Sequence, residues 1–100
     1  MLHGYFDVPT FTFFDEKNVW SGSLYTNFNY RIVPIKRKAD DEKKSELYVS
    51  VWYGTKCIDK VEKLIAEFHE DFSPEGLENC HKDLTEEFEK FKSIRKSIGY

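Results

Sequence analysis

The chain has 100 residues, the size of one domain with a single hydrophobic core. Aromatic residues make up 17% of the chain, which excludes a disordered protein even though 33% of its residues are charged. The net charge of -3 disfavours direct binding to nucleic acid, because phosphate contacts need a basic face. With no apolar run of about 20 residues and no signal-peptide pattern at the N-terminus, the sequence predicts a cytoplasmic protein without a membrane span.

The first half of the chain has the patterns of an antiparallel sheet. Alternating Thr and Phe over residues 10–14 predict a strand, and Pro9 either opens that strand or confines it to a sheet edge. After a polar break, residues 19–20 are expected to return antiparallel. Residues 24–35 alternate most clearly between two faces. Residues 46–53 alternate as well, with apolar side chains on both faces, which predicts a central strand beside the helices.

The second half has apolar residues at spacings of three and four, which predicts two helices. The first apolar stripe comprises Val61, Leu64, Ile65, Phe68 and Phe72. The second comprises Leu77, Cys80, Leu84, Phe88, Phe91 and either Ile94 or Ile98. Between them, Ser73 is expected to cap the second helix and Pro74 to occupy its first position. Because the connection is short, the two helices should lie antiparallel.

Together these patterns predict one α+β domain over residues 1–100. Residues 1–54 would form a three- or four-stranded antiparallel sheet, and residues 55–100 an antiparallel two-helix hairpin. The hairpin would pack on one face of the sheet, since both elements then bury their apolar residues.

Negative charge is concentrated on the predicted hairpin. Residues 62–89 contain ten acidic residues and two lysines, a local charge of -8 in a chain whose total is -3. One interpretation is an ordinary solvated helix face. The other is a negative surface that attracts a basic protein partner. The candidate partner-binding residues are Glu62, Glu70, Asp71, Glu75, Glu78, Asp83, Glu86, Glu87 and Glu89. Among them, Glu86, Glu87 and Glu89 are expected to be exposed or at the edge of the apolar stripe.

Three residues near the predicted turn have the chemistry of metal ligands. A helical hairpin would bring His69, Cys80 and His81 toward one another, so they could hold one structural zinc ion. The spacing matches no standard zinc finger, and the alternative is a core cysteine with two surface histidines. Cys57, in the first turn of the predicted first helix, could be a reactive thiolate, but no positioned base lies nearby in sequence. With no catalytic motif in the chain, we expect that the protein is not an enzyme.

In its size, its acidity and its helical charge, the whole chain resembles small acidic inhibitors encoded by phages and mobile elements, in particular the anti-CRISPR proteins directed at type II effectors. Those proteins share no common fold, so no residue role is carried over. The resemblance implies a stoichiometric inhibitor that binds an RNA-guided nuclease in the host cytoplasm and blocks nucleic-acid loading or a domain movement. The alternative is a zinc-stapled structural or regulatory interaction module of a larger complex.

Overall fold

The structure, a computed structural model, describes residues 2–3, 6–24, 27–38, 42, 44–54, 64–94 and 96–97, with side chains described from residue 8 onward. Its elements, in chain order, are β1 (Leu2–His3), β2 (Phe6–Asp7), α1 (Phe11–Asp15), β3 (Trp20–Leu24), β4 (Phe28–Ile35), β5 (Glu46–Tyr53), β6 (Ala66–Asp71) and α2 (Pro74–Ile94). Strands β3, β4, β5 and β6 form a four-stranded antiparallel sheet in that order, while β1 and β2 pair separately. The predicted α+β class with an antiparallel sheet is confirmed.

The two central strands form the longest pairing in the sheet. β4 and β5 are in register over eight residues, from Phe28 opposite Tyr53 to Ile35 opposite Glu46. Burial alternates along the start of β4, so Phe28 and the side chains two and four residues later enter the core. This is the period-two pattern that predicted the strand, and it fixes which face of the sheet is apolar.

Helix α2 covers that apolar face. Its buried stripe, Leu77, Cys80, Leu84, Phe88 and Phe91, is the one predicted from the sequence up to Phe91. Ile94 is 40% exposed and does not continue the stripe, and Ile98 lies outside the described residues. The helix packs mainly on β6 and reaches β5 and β4. The rings of Phe88 and Phe91 lie 5.2 and 5.6 Å from the ring of Phe28, which joins the helix to the core. Within the described ranges, no helix is long and apolar enough to cross a membrane.

A tight connection joins β6 to α2. Oγ of Ser73 accepts a hydrogen bond from the amide of Gly76 at 2.9 Å, and the Ser73 carbonyl accepts one from the amide of Leu77 at 3.0 Å. A Cβ at position 76 would lie 1.7 Å from the backbone oxygen of Asp71, so only glycine allows this approach. The predicted serine cap and proline start of the helix are confirmed.

The predicted first helix of the hairpin is wrong for residues 66–71. These residues form β6, which pairs antiparallel with β5 from Val51 opposite Ala66 to Glu46 opposite Asp71. Residues 55–63 of the predicted helix lie outside the described residues. A spacing of four is shared by a helical stripe and by one face of a strand, so Leu64, Phe68 and Phe72 fit both structures. Ile65, just before β6, distinguishes the helix from the strand. In the helix it would belong to the apolar stripe, but it is 49% exposed and lies on the side opposite Phe68.

Residues 10–14 were expected to form a strand but form most of a short helix instead. In α1 the amide of Phe13 donates to the carbonyl of Thr10 at 3.1 Å, and Lys17 ends the segment with a positive φ of 67°. Phe14 is fully buried, whereas the ring of Phe11 lies 4.9 Å from that of Phe72. The helical turn therefore lets neighbouring aromatic residues reach the core in different directions, which a strand's strict alternation would not allow.

Candidate protein-binding surface

Nine of the ten acidic residues counted between positions 62 and 89 lie in β6, in α2 or at their connection, while Glu62 is outside the described residues. Six of them are exposed: Glu67 and Asp71 on β6, and Glu75, Glu78, Glu86 and Glu89 on α2. The four on α2 form what we call the acidic surface. Glu75 lies in the first turn of α2, where a negative charge interacts favourably with the helix dipole. Lys92 partly offsets Glu89, since its Nζ lies 3.2 Å from Oε1 of that residue. On α2 the four exposed acids outnumber the exposed lysines, Lys82 and Lys90, so the surface has a net negative charge.

Of the three glutamates expected to be exposed or at the edge of the apolar stripe, Glu87 is buried. Only 7% of this residue is accessible, and its Oε2 lies 2.8 Å from Nζ of Lys90. Glu87 is three residues after Leu84 and four before Phe91, so it occupies a position of the apolar stripe itself. That spacing was the sequence signal for its burial. Glu87 and Lys90 form an intramolecular pair, which raises the pKa of Lys90 and leaves Glu87 unavailable to a partner.

Two further candidate residues face each other between β6 and α2. The pKa of Asp83 is raised to about 7, mainly by burial of its carboxyl group. Smaller contributions come from a hydrogen bond and charge repulsion with Glu70, and from charge repulsion with Glu87. Near neutral pH, Asp83 is therefore partly protonated and carries less negative charge than a free carboxylate. The side chains of Glu70 and Asp83 are both only partly accessible. They lie between the strand and the helix and are not part of the acidic surface.

The three predicted zinc ligands are not brought together. In the part of the chain that the structure describes, no three His, Cys, Asp or Glu side chains are grouped so as to hold a metal ion. The reason is that residues 66–71 form a strand instead of the predicted helix. His69 is exposed on the outer face of the sheet, the face that α2 does not cover. Cys80 is buried in the core on the opposite, inner face, and His81 is buried beside it on α2. Burial and the nearby Glu70 and Asp83 carboxyls raise the pKa of the Cys80 thiol to about 12, so it is protonated. Cys57 lies outside the described residues.

The outer face of the sheet carries a polar network that sequence analysis missed. Nδ1 of His69 lies 2.9 Å from Oε1 of Glu46, and a guanidinium nitrogen of Arg37 lies 3.6 Å from the same oxygen. The Tyr48 ring is 4.9 Å from the imidazole of His69, and the Tyr48 hydroxyl donates to the carboxylate of Glu67. That hydrogen bond is the main cause of the raised pKa of Tyr48. The residues come together only through the register of β5 and β6, which the predicted helix concealed.

The molecule thus presents two neighbouring features, the acidic surface of α2 and the outermost strand β6. Both rest on the same apolar layer, so their relative positions are fixed by the core. No protein family, curated protein or solved structure matches this chain. What the protein does is therefore inferred from these two features and their chemistry.

Proposed function

We propose that the protein is a stoichiometric inhibitor that docks its acidic surface on a basic surface of another protein. The observation that carries the proposal is the charge of α2: its exposed side has four acids against two lysines, and its other side is a packed apolar stripe. A helix already held by a sheet loses little conformational freedom on binding, so its charges act from a fixed geometry.

The charges would contribute mainly to association and specificity. An exposed ion pair stabilises a complex by only about 0.2–1 kcal/mol, but several charges of one sign sum to a field that accelerates encounter with a basic partner. Affinity also needs apolar contacts. Ile94, at the end of α2, is 40% exposed and lies on the same helix as the acidic surface. It is the candidate apolar anchor of the interface.

We infer that the basic surface is a nucleic-acid channel, with an RNA-guided nuclease as the partner. Such channels are lined by lysine and arginine and hold the backbone of a heteroduplex. Helix α2 has 21 residues. At about 1.5 Å per residue it is roughly 30 Å long, the length of about nine base pairs of B-form DNA at 3.4 Å each. An acidic helix of that length would cover enough of the channel to block loading. The small, acidic character of the chain, typical of phage-encoded inhibitors, supports this class of partner.

The test measures binding to a purified type II RNA-guided nuclease, with and without its guide, over a range of salt concentrations. We expect affinity to fall steeply as salt rises and to be lower once the channel is loaded. The variant Glu78→Lys/Glu86→Lys should bind at least about tenfold more weakly, because reversing a charge at an interface adds repulsion. Glu87 is left unchanged because it is buried.

The matched control is Lys82→Gln, which removes a positive charge from the same exposed side of α2. It should bind as well as the parent chain or better. Thermal unfolding followed by circular dichroism establishes that each variant is folded. An affinity that is independent of salt, or a charge-reversed variant that binds normally, would show that the acidic surface is not the determinant.

A further inference from the structure

Strand β6 lies at one edge of the four-stranded sheet. Its inner side pairs with β5 over six consecutive positions without a bulge, and among the described residues no strand pairs with its outer side. An edge strand of this kind presents alternate amide and carbonyl groups that can hydrogen-bond to another extended segment. β6 contains no proline, the residue that most directly prevents such pairing.

The charge of β6 determines which segment can pair with it. The strand contains Glu67, Glu70 and Asp71 and no lysine or arginine. Two copies of β6 placed side by side would bring like charges together, which opposes pairing of the chain with itself. A segment rich in lysine or arginine would instead place opposite charges across the new strand pair, which stabilises the pairing.

The strand is also held in shape on both faces. On the inner face, Phe68 packs against the core beneath α2. On the outer face, the contacts of Glu67 with Tyr48 and of His69 with Glu46 orient two successive exposed side chains. Ile65, immediately before the strand and 49% exposed, offers an apolar contact at its start. An incoming segment would therefore meet an edge that is already ordered, which lowers the entropy cost of pairing.

We propose that β6 binds an extended lysine- or arginine-rich segment of the partner protein as a fifth, antiparallel strand of the sheet. Main-chain hydrogen bonds provide the attachment, and basic side chains of the segment face Glu67 and Asp71 on the outer face. This mode of binding rests on the proposed function and specifies it further: the partner supplies a basic strand to β6 next to the basic surface that meets α2.

The probe is a fluorescein-labelled peptide of ten residues in which Lys and Thr alternate. Two analogues have the same charge: in one every Lys amide is N-methylated, and in the other every Thr amide. Because an added strand pairs through one edge only, it uses alternate amides. Fluorescence anisotropy with the full chain should show that one analogue binds at least about tenfold more weakly than the other. Hydrogen exchange measured by NMR should show new protection of alternate β6 amides when the unmodified peptide binds.

Two variants separate this proposal from the acidic surface on α2. Glu67→Gln/Asp71→Asn should weaken the peptide severalfold, whereas Glu78→Gln/Glu86→Gln should affect the peptide less than it affects the whole partner. Equal affinities of the two N-methylated analogues, without protection in β6, would overturn strand addition and leave the α2 proposal standing. The opposite result would be that the two N-methylated analogues bind differently while Glu78→Gln/Glu86→Gln binds the whole partner normally. That result would refute the α2 proposal and leave strand addition standing.

Discussion

Replacing Asp83 by Asn tests the carboxyl pair that joins β6 to α2. Asn has the shape of Asp, carries no charge and can donate a hydrogen bond to Glu70 at any pH. In the parent chain that donor exists only while Asp83 is protonated. The variant should therefore remove a pH-dependent contribution to stability without opening a cavity.

The sign and size of this contribution follow from the pKa of Asp83, which rises from 3.8 to about 7 on folding. Between these values the folded chain binds more protons than the unfolded chain, so its stability falls as pH rises. The stabilisation is fully present below pH 3.8 and is lost as pH passes about 7. At about 1.4 kcal/mol per pH unit, the whole displacement corresponds to at most about 4 kcal/mol. Because Asp83 is partly exposed, solvent screening reduces the expected effect to about 1–2 kcal/mol.

The assay is urea unfolding followed by tryptophan fluorescence at pH 5 and at pH 8. At pH 8, Asp83→Asn should be more stable than the parent chain by about 1–2 kcal/mol, and at pH 5 the difference should be much smaller. Comparing the variant with the parent at each pH cancels the titration of the other carboxyls. Glu86→Gln removes an exposed charge from the same helix and should give a difference that hardly depends on pH. An equal difference between Asp83→Asn and the parent at both pH values would refute the raised pKa of Asp83.

Two further predictions concern the junction of strand and helix and the core thiol. Gly76→Ala should lower the free energy of unfolding, measured by urea denaturation, by about 2–3 kcal/mol, because the new Cβ would overlap the backbone oxygen of Asp71. The control is Asn79→Ala at an exposed position of the same helix. A loss for Gly76→Ala no larger than that of the control would contradict the close approach. Cys80 should react with a thiol reagent at pH 8 only when the chain unfolds, because the buried thiol stays protonated; rapid labelling of Cys80 in native buffer, located by mass spectrometry, would contradict its burial.

Helix α2 and strand β5 could be predicted from the sequence because their signals are local and agree with one another. In α2, a serine cap and a proline at the first position precede residues with helical spacing, and the stripe keeps one period over about four turns. In β5, Leu47, Val49, Val51 and Tyr53 alternate with side chains of the other face, and the strand is rich in β-branched and aromatic residues. No distant contact was needed to choose between structures in either case.

Strand β6 could not be predicted in the same way, because its pattern is ambiguous and its stabilising contacts are distant. The spacing from Leu64 to Phe72 fits both periods, and residues 66–71 contain no β-branched residue that would indicate a strand. What selects the strand is pairing with β5, some twenty residues earlier in the chain, together with burial of Phe68. Tertiary contacts therefore override a local helical pattern here.

The same error limited the prediction of the site. The sign and the position of the acidic charge along the chain follow from composition, but exposure depends on the fold. Glu87 has its side chain in the stripe position between Leu84 and Phe91 and is paired with Lys90, so a count of acids overstated the charge available to a partner.

The change from helix to strand also changes what a partner can contact. A helix satisfies its main-chain groups internally, so a two-helix hairpin could attract a basic protein only through side chains. A strand at the sheet edge offers main-chain groups as well, beside the acids of α2. Asp83 lies between these two surfaces beside Glu70, so protonation of Asp83 favours the arrangement that presents both. Asp83→Asn should therefore hold the strand and the helix together at high pH without removing any member of the acidic surface. This variant therefore separates the effect of stability between strand and helix from the effect of the acidic surface on partner binding.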